Sequence, residues 1–227
     1  PFGEYLFLLH VGDQIYGGLE HRSSTALHID RHSLPAYGLG EADRGYTELL
    51  GLISHEYFHA WNVKSVKPAA FEPYDLEQES YTEQLWAFEG ITAYYDDLIL
   101  ARSSVISPAA YLNLLARTLS HCRQLPGSRV QTLAESSFAA WHKFYKADEN
   151  SPNAIVSYYQ QGSLAALCLD QLIRRNSDNS QSLDTVMRGL YQDWLDSRSG
   201  IAEGSWQRRA QEILDQDLAS FFQAALY

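Results

Sequence analysis

The stretch His55-Glu56-Tyr57-Phe58-His59 places two histidines four positions apart, with a glutamate directly after the first. Apolar residues recur around it at helical spacing, which predicts a helix that is capped by Asp43 or Thr47 and ends before Pro68. Positions i and i+4 share one face of a helix, so both imidazoles can reach a single metal ion. Glu56 would then stand beside that ion, where a carboxylate can take a proton from water. The alternative is two surface histidines on an amphipathic helix.

A zinc ion bound by this histidine pair needs a third protein ligand, because zinc in a hydrolase takes three and keeps its fourth position open. The next histidine along the chain, His121, is remote, so a carboxylate is the better candidate. Glu89 follows the apolar run 85–88, where a buried carboxylate is costly unless it is paired or bound to metal. Glu79 and Glu83 compete with it in a more polar setting, and Glu89 could instead be a structural carboxylate bonded to a tyrosine.

Around the motif, the chain changes from strands to helices near residue 43. Residues 5–9 and 25–29 predict strands, with turns at Gly12-Asp13 and Gly17-Gly18. The helices after the first are predicted over 79–101, 108–123, 132–144, 154–174, 182–195, 205–214 and 216–225. Strands followed by helices are typical of an α+β fold rather than of repeated βαβ units.

The length of 227 residues suits a single domain, with a β-rich part over 1–42 and a helical part over 43–227. Because the chain begins at Pro1 rather than at methionine, we expect it to be a piece of a longer protein. The sequence leaves the compartment open between the cytoplasm and the periplasm, with the cytoplasm favoured.

The composition argues against several classes of partner. A formal net charge of −11 disfavours binding to nucleic acid or to an anionic membrane surface, since both require a basic face. No apolar run approaches the roughly 18 residues that a membrane-spanning helix needs.

The two cysteines, Cys122 and Cys168, indicate neither a disulfide framework nor a cysteine zinc site, and Cys168 is predicted to be a buried core thiol.

With their flanking residues, these motifs resemble the glycyl aminopeptidase family of gluzincin metallopeptidases. The resemblance rests on two segments, His55-Glu56-x-x-His59-Ala60-Trp61-Asn62-Val63-Lys64 and Leu85-Trp86-x-x-Glu89-Gly90-x-Thr92-x-Tyr94-Tyr95-Asp96-Asp97. It covers most of the chain and implies one Zn²⁺ per chain, held by His55, His59 and Glu89. It also implies a thermolysin-like catalytic domain, in which a small, mainly antiparallel sheet precedes a mostly helical part.

A glycine-rich segment near the N-terminus, Tyr16-Gly17-Gly18-Leu19-Glu20-His21, resembles the family's glycine-glycine-x-glutamate segment. The resemblance implies that the backbone at Gly17 and Gly18 belongs to an edge strand that pairs with the substrate. It also implies that Glu20 receives the α-ammonium of the substrate, a charge-assisted contact that fixes the distance to the zinc. The alternative for Glu20 is an ordinary carboxylate at the end of a strand.

A later segment, Ser157-Tyr158-Tyr159-Gln160-Gln161-Gly162, resembles the family's Tyr-x-x-Gly segment. There a tyrosine hydroxyl donates to the oxyanion that forms during hydrolysis, a role that suits a preorganised donor. The alignment assigns this role to Tyr159 rather than Tyr158. Gln161 stands where the pattern often has lysine, and the alternative for Tyr159 is a core or rim aromatic residue.

These features predict a zinc-dependent aminopeptidase in which Glu56 is the general base, and the resemblance implies a preference for N-terminal glycine or alanine. The expected partner is a peptide with a free N-terminus, with no nucleic acid and no membrane. Family members also carry an N-terminal β-domain and often a PDZ module, neither of which this sequence shows. The alternatives are a zinc endopeptidase or other gluzincin hydrolase, and an inactive zinc-bearing binding module.

Overall fold

The computed structural model describes residues 2–35, 38 and 44–227. The described chain forms two compact units, the first comprising Pro1–Lys64 with Tyr95–Arg117 and the second comprising Ser65–Tyr94 with Thr118–Tyr227. Each unit therefore combines two segments that are separate in sequence, and neither follows the boundary near residue 43. The expectation of a single domain stays a prediction, and Asp43, one of the two expected helix caps, lies outside the described residues.

The N-terminal strands form a sheet of mixed direction. Strands β1 (Leu6–Gly12), β2 (Gly17–Glu20) and β3 (Ser24–Asp30) lie in the order β1-β3-β2. β2 is antiparallel to β3, whereas β1 runs parallel to it. The sheet is thus mixed rather than mainly antiparallel, because alternation along a strand does not record the direction of its partner. The predicted α+β class is confirmed.

The glycine pair at Gly17-Gly18 opens β2, so the turn predicted there is wrong. Glycine is a frequent turn residue, but in a strand it also marks the close approach of another group to the backbone. The second explanation applies to Gly18, as the geometry of the candidate site shows.

Helix α1 (Arg44–Phe58) packs on the sheet and carries the histidine motif at its C-terminal end. Alternate residues of β3 are buried, as the period of a half-buried strand requires. Leu27 and Ile29 from β3 meet Leu49 and Leu52 from α1 in the core of the first unit. Because this core fixes α1 against β3, it also fixes α1 relative to β2, the strand that ends at Glu20.

The second predicted helix begins later than the sequence indicates. It starts with a π-helical segment, Trp86–Ile91, that runs directly into α2 (Thr92–Arg102), whereas the prediction began at residue 79. Side-chain hydrogen bonds explain the delay, since the Glu203 carboxylate accepts from the Thr82 hydroxyl at 2.6 Å and from the Glu83 N–H at 3.2 Å. Such bonds compete with the helical hydrogen bonds of residues 82 and 83.

Six further helices are predicted and seven are found. The seven are α3 (Pro108–Gln124), α4 (Leu133–Phe138), α5 (Ser151–Ala154), α6 (Gln160–Asn176), α7 (Leu183–Ser197), α8 (Ser205–Leu214) and α9 (Ala219–Leu226). The short helix α5 was not predicted, and the main boundary differences concern α4 and α6. The helix predicted over 132–144 ends at Phe138, and the long helix expected from 154 begins at Gln160. The extended link before α6 is held by Val156, whose N–H donates to Gln131 at 2.9 Å and whose carbonyl accepts from Ser136 at 2.5 Å.

Within the second unit, α6 lies very close to the π-helical segment. A methyl carbon added at Gly162 would be 2.8 Å from the carbonyl oxygen of Trp86 and 2.9 Å from the Cα of Gly90. Real side-chain carbons do not approach backbone atoms so closely, so both positions require glycine. This contact fixes the position of the π-helical segment relative to the start of α6.

Helix α6 also carries a buried carboxylate, Asp170, which accepts hydrogen bonds from three elements. Its donors are the Tyr94 hydroxyl at 2.8 Å, Arg174 Nε at 2.8 Å and the Leu183 N–H at 2.7 Å. A buried carboxylate is stable when its oxygens are paired in this way.

The helices settle the exposure of Cys168 and show whether any of them could cross a membrane. Cys168 is exposed, which corrects the prediction of a buried thiol. Its apolar neighbours Leu167 and Leu169 point elsewhere because each helical residue turns by about 100°. Among the described residues, no helix is both long enough and apolar enough to cross a membrane.

Candidate active site

The two histidines of the motif are each held through Nδ1. His59 Nδ1 lies 2.7 Å from the backbone carbonyl of Asn62, and His55 Nδ1 lies 3.1 Å from Asp96 Oδ2. Because a carbonyl can only accept, the Asn62 contact puts the proton of His59 on Nδ1 and the lone pair on Nε2. Hydrogen bonds of this kind orient the imidazoles that bind metals, so both rings are arranged to offer Nε2 to an ion.

Asp96 belongs to a pair of adjacent carboxyl groups on α2. Its neighbour Asp97 lies on the same turn, and the Asp97 N–H donates to Asp96 Oδ1 at 2.5 Å. Burial raises the pKa of Asp96, an effect that the hydrogen bond from His55 opposes. Burial and the neighbouring Asp96 charge raise the pKa of Asp97 to about 7.

Glu56 lies at the centre of a tight group in the first unit. Carboxylate oxygens of Glu56 and Glu20 and a ring nitrogen of His59 all lie within 4.8 Å of one another. Glu56 and His59 are buried, at 5% and 2% exposure. Glu20 and the motif are distant in sequence but close in space, because α1 packs against β2 and β3. The structure therefore brings together three of the predicted site residues.

The backbone of β2 lies directly against Glu56. A side-chain carbon at Gly18 would be 2.1 Å from Glu56 Oε1, so a larger residue there would displace the Glu56 side chain. β2 pairs with β3 on one side, and within the described residues no strand pairs with its other side. The Gly17–Glu20 strand is thus an edge strand beside a carboxylate, and an extended peptide could pair with its backbone.

Glu20 makes an ion pair with Lys64. Lys64 Nζ lies 2.9 Å from Glu20 Oε1, with side-chain exposures of 26% and 19%. The ammonium offsets part of the negative charge that Glu20 brings to this group. Glu20, Glu56 and His59 form a group that could hold a metal, and the pair with Lys64 adds a positive charge to this group.

Glu89 lies in the π-helical segment of the second unit, a local structure that occurs often at functional sites. The two competing carboxylates have other partners in the same unit. Glu79 accepts from the Tyr81 hydroxyl and lies 3.5 Å from His142 Nε2. Glu83 accepts from the Tyr227 hydroxyl at 3.2 Å. Among the groups of described residues that could hold a metal, Glu89 occurs, whereas Glu79 and Glu83 do not.

Tyr158 and Tyr159 differ in their exposure although they are adjacent in sequence. Tyr158 is fully buried, at 0% exposure, and donates to the Tyr145 hydroxyl at 3.2 Å. Tyr159 is only partly buried, and its hydroxyl lies 3.5 Å from that of Tyr145. Of the two, only Tyr159 can present its hydroxyl to a bound molecule.

The Tyr159 hydroxyl is protonated throughout the range in which peptidases work. Burial raises its pKa well above the usual phenol value, and the Glu89 carboxylate raises it further. Loss of the proton would place a phenolate near an existing negative charge. Tyr159 is therefore a hydrogen-bond donor, which is the property that stabilisation of an oxyanion requires.

Four residues with no role assigned from sequence contact candidate site residues of their own unit. Asp96 and the Asn62 carbonyl orient the two histidines, Lys64 pairs with Glu20, and Tyr145 contacts both tyrosines. The two motif segments contain Asp96, Asn62 and Lys64, so their position within a motif could have indicated a role in the site. Tyr145 lies outside them, and no sequence pattern indicated it.

The donor set of the chain suits zinc. The first unit offers two imidazoles oriented through their Nδ1 atoms, and the second offers Glu89 in a largely buried segment. Two imidazoles and a carboxylate make up a common ligand set of catalytic zinc in peptidases. His55, His59 and Glu89 are thus the residues that could hold such an ion.

Comparison with known proteins identifies the family. Residues 48–165, more than half of the chain, match the family described as M61 glycyl aminopeptidase. No curated protein matches the chain significantly. The chain is also similar to the crystal structure of an aminopeptidase N family protein from Idiomarina loihiensis, with 45% sequence identity and a TM-score of 0.96.

The similarity to the Idiomarina protein covers 100% of this chain, which spans 39% of the length of that protein. Both comparisons support a peptidase, in agreement with the resemblance inferred from the motifs. The chain belongs to the M61 glycyl aminopeptidase family.

Proposed function

We propose that this protein is a zinc-dependent aminopeptidase that hydrolyses the first peptide bond of a peptide with a free N-terminus. One observation carries the proposal: oxygens of Glu56 and Glu20 and a ring nitrogen of His59 lie within 4.8 Å of one another beside the edge strand β2. A base, a metal ligand and a carboxylate for an ammonium group thus share one location. Membership of a glycyl aminopeptidase family supports a small first residue, glycine or alanine.

In this proposal, His55, His59 and Glu89 hold one zinc ion per chain. Zinc supplies Lewis-acid polarisation of the substrate carbonyl and makes water acidic enough to act as a nucleophile near neutral pH. Asp96 and the Asn62 carbonyl keep the imidazoles oriented, and oriented imidazoles bind zinc more strongly.

The substrate is oriented by β2 and by Glu20. The backbone at Gly17 and Gly18 pairs with the extended peptide, and the absence of a side chain at Gly18 allows the scissile bond to come close to Glu56. Glu20 accepts the α-ammonium of the peptide in a charge-assisted contact. Because Glu20 and Glu56 are close, the bond that Glu56 meets is the first one.

Glu56 moves the proton in the reaction. Its carboxylate takes a proton from the attacking water and returns it to the amine that leaves. Tyr159 donates its hydroxyl proton in a hydrogen bond to the carbonyl oxygen as negative charge develops there. The raised pKa of Tyr159 keeps this donor protonated.

The test is to map the products from a peptide of about ten residues with an N-terminal glycine, in free and N-acetylated forms, using the intact protein. Release of glycine from the free form alone supports the proposal. Internal cleavage of both forms would indicate an endopeptidase, and binding without cleavage would indicate an inactive module.

Glu56→Gln should retain zinc and lose about 10²–10⁴-fold in kcat. Unchanged turnover in that variant would refute the role of Glu56.

The partners of the proposed enzyme are peptide substrates. The chain spans 39% of the length of the Idiomarina protein, so the activity assays use the protein in its full length. An N-terminal β-domain and a PDZ module stay predictions from the resemblance.

A further inference from the structure

The ion pair between Lys64 and Glu20 differs from the surface ion pairs of the first unit. Its side chains are 26% and 19% exposed, whereas those of Arg31 and Asp13, another ion pair in that unit, are 58% and 72% exposed. Exposed ion pairs contribute little because water screens both charges, but partial burial strengthens the attraction. The Lys64–Glu20 pair therefore has more influence on where its carboxylate lies than an ordinary surface pair.

Lys64 is fixed by the turn that also orients His59. The N–H groups of Val63 and Lys64 donate to the His59 carbonyl at 3.0 Å and 2.8 Å. The His59 ring in turn contacts the Asn62 carbonyl at 2.7 Å. A single short turn thus sets both the imidazole of His59 and the ammonium that holds Glu20.

The Lys64 contact leaves Glu20 able to bind a second cation. A carboxylate has two oxygens with about four acceptor positions, and Lys64 Nζ lies at Oε1. A peptide ammonium can therefore share the group with Lys64. Lys64 also places a positive charge beside Glu20, whose carboxylate lies near that of Glu56, and so offsets the repulsion between the two carboxylates.

We propose that Lys64 is a positioning residue for recognition of the peptide N-terminus: it holds the Glu20 carboxylate at a fixed distance from Glu56, so that the α-ammonium binds there and the first peptide bond reaches Glu56. This inference rests on the proposed aminopeptidase function and adds to it the residue that sets the exopeptidase register. Nothing in the role of Lys64 requires contact with the reacting atoms.

The first test compares Lys64→Met with Lys64→Arg and with a matched control, Lys67→Met. Lys67 has a similar exposure, 21%, and lies 3.6 Å from Glu72, a carboxylate with no proposed role. With glycine 4-nitroanilide as substrate, Lys64→Met should raise KM about 10-fold or more with little change in kcat, because an interaction that binds the substrate amine is weakened. Lys64→Arg should restore most of the affinity, and Lys67→Met should match the parent.

A double-mutant cycle tests whether Lys64 acts through Glu20. In a Glu20→Gln background, Lys64→Met should have no further effect on KM, because the carboxylate that it positions is gone. An equal effect of Lys64→Met with and without Glu20 would overturn the proposal, as would a KM within twofold of the parent for Lys64→Met. A lower KM in Lys64→Met would also overturn it, since Lys64 would then compete with the substrate ammonium.

A binding measurement separates this inference from the proposed function. Calorimetry with glycinamide and metal-free protein measures amine recognition without turnover, and Lys64→Met should weaken the Kd about 10-fold. If the parent binds glycinamide and releases N-terminal glycine but Lys64→Met binds equally well, only the role of Lys64 fails. If the parent neither binds glycinamide nor releases glycine, the aminopeptidase function fails and the inference falls with it.

Discussion

The candidate active-site residues of the two units use different chemistry. In the first unit, Glu20, Glu56 and Asp96 are carboxylates whose surroundings include a lysine or a histidine. In the second, a tyrosine cluster formed by Tyr145, Tyr158 and Tyr159 presents neutral hydroxyls near Glu89. In the proposed enzyme, the charged groups of the first unit hold the ion, bind the ammonium and move protons. The neutral donors of the second unit stabilise charge that appears only during the reaction.

This contrast predicts different kinetic consequences for the two sets of residues. Apart from Glu56, which moves the proton, removal of a charge in the first unit should change the affinity for zinc or for the peptide amine. Removal of a hydroxyl in the second unit should instead change the rate at saturation. A group that binds ground and transition states equally affects KM, and a group that acts in the transition state affects kcat.

The largest expected effect in the tyrosine cluster is that of Tyr159→Phe. Loss of one oxyanion donor should lower kcat about 10²–10³-fold and leave KM within a few-fold of the parent. Tyr158→Phe is the matched control, because its hydroxyl is fully buried. Tyr158→Phe should lower the melting temperature and leave kcat nearly unchanged. A comparable fall in kcat for both variants would mean that the cluster acts as a whole and that Tyr159 has no special role.

A smaller effect is expected from Asp96→Asn, which weakens the support of His55. Loss of a charged partner of a ligating imidazole costs about 10–100-fold in metal affinity, so the zinc Kd should rise by that factor. Competition with a chromogenic chelator measures it. The neighbouring Asp97→Asn provides the control and should alter the Kd by less than threefold. If Asp96→Asn and the parent have the same zinc Kd, Asp96 does not support His55 as a ligand.

The smallest effect concerns Asp97, whose pKa is raised to about 7 by burial and by the Asp96 charge. The folded state then holds this proton more tightly than the unfolded state, so its contribution to stability is full below about pH 4 and is lost as the pH rises through about 7. Asp97→Asn removes this loss and should stabilise the metal-free protein by about 1–2 kcal/mol more at pH 8 than at pH 4.5.

Urea denaturation at the two pH values measures the difference for Asp97. The exposed Asp196, which accepts from Gln192 at 2.9 Å, offers a control variant, Asp196→Asn, with no such dependence expected. A stability gain that is the same at both pH values would contradict the raised pKa.

The features predicted best from the sequence are those that depend on local spacing. The relation of His55 to Glu56 and His59 follows from helical geometry over five residues, and the α+β order follows from the change of period near residue 43. Helices α7 and α8 were placed within about two residues for the same reason. These features involve interactions between residues that are near in sequence.

Features that depend on distant residues were not predicted. The parallel pairing of β1 with β3, the Lys64–Glu20 pair and the Tyr145 contacts each join separate parts of the chain. The glycines at 17 and 18 suggested a turn because sequence alone cannot show that Glu56 lies against the strand. The late start of the helix at Trp86 likewise depends on Glu203, more than a hundred residues away.

The central claim is that His55, His59 and Glu89 hold one catalytic zinc ion, and elemental analysis of purified variants tests it most directly. We predict one zinc per chain in the parent, in Glu79→Gln and in Glu83→Gln, and a large loss of zinc in Glu89→Gln and His59→Ala. A parent that binds no zinc after incubation with the metal would contradict the claim. So would a Glu89→Gln protein that retains a full equivalent while Glu79→Gln or Glu83→Gln loses it.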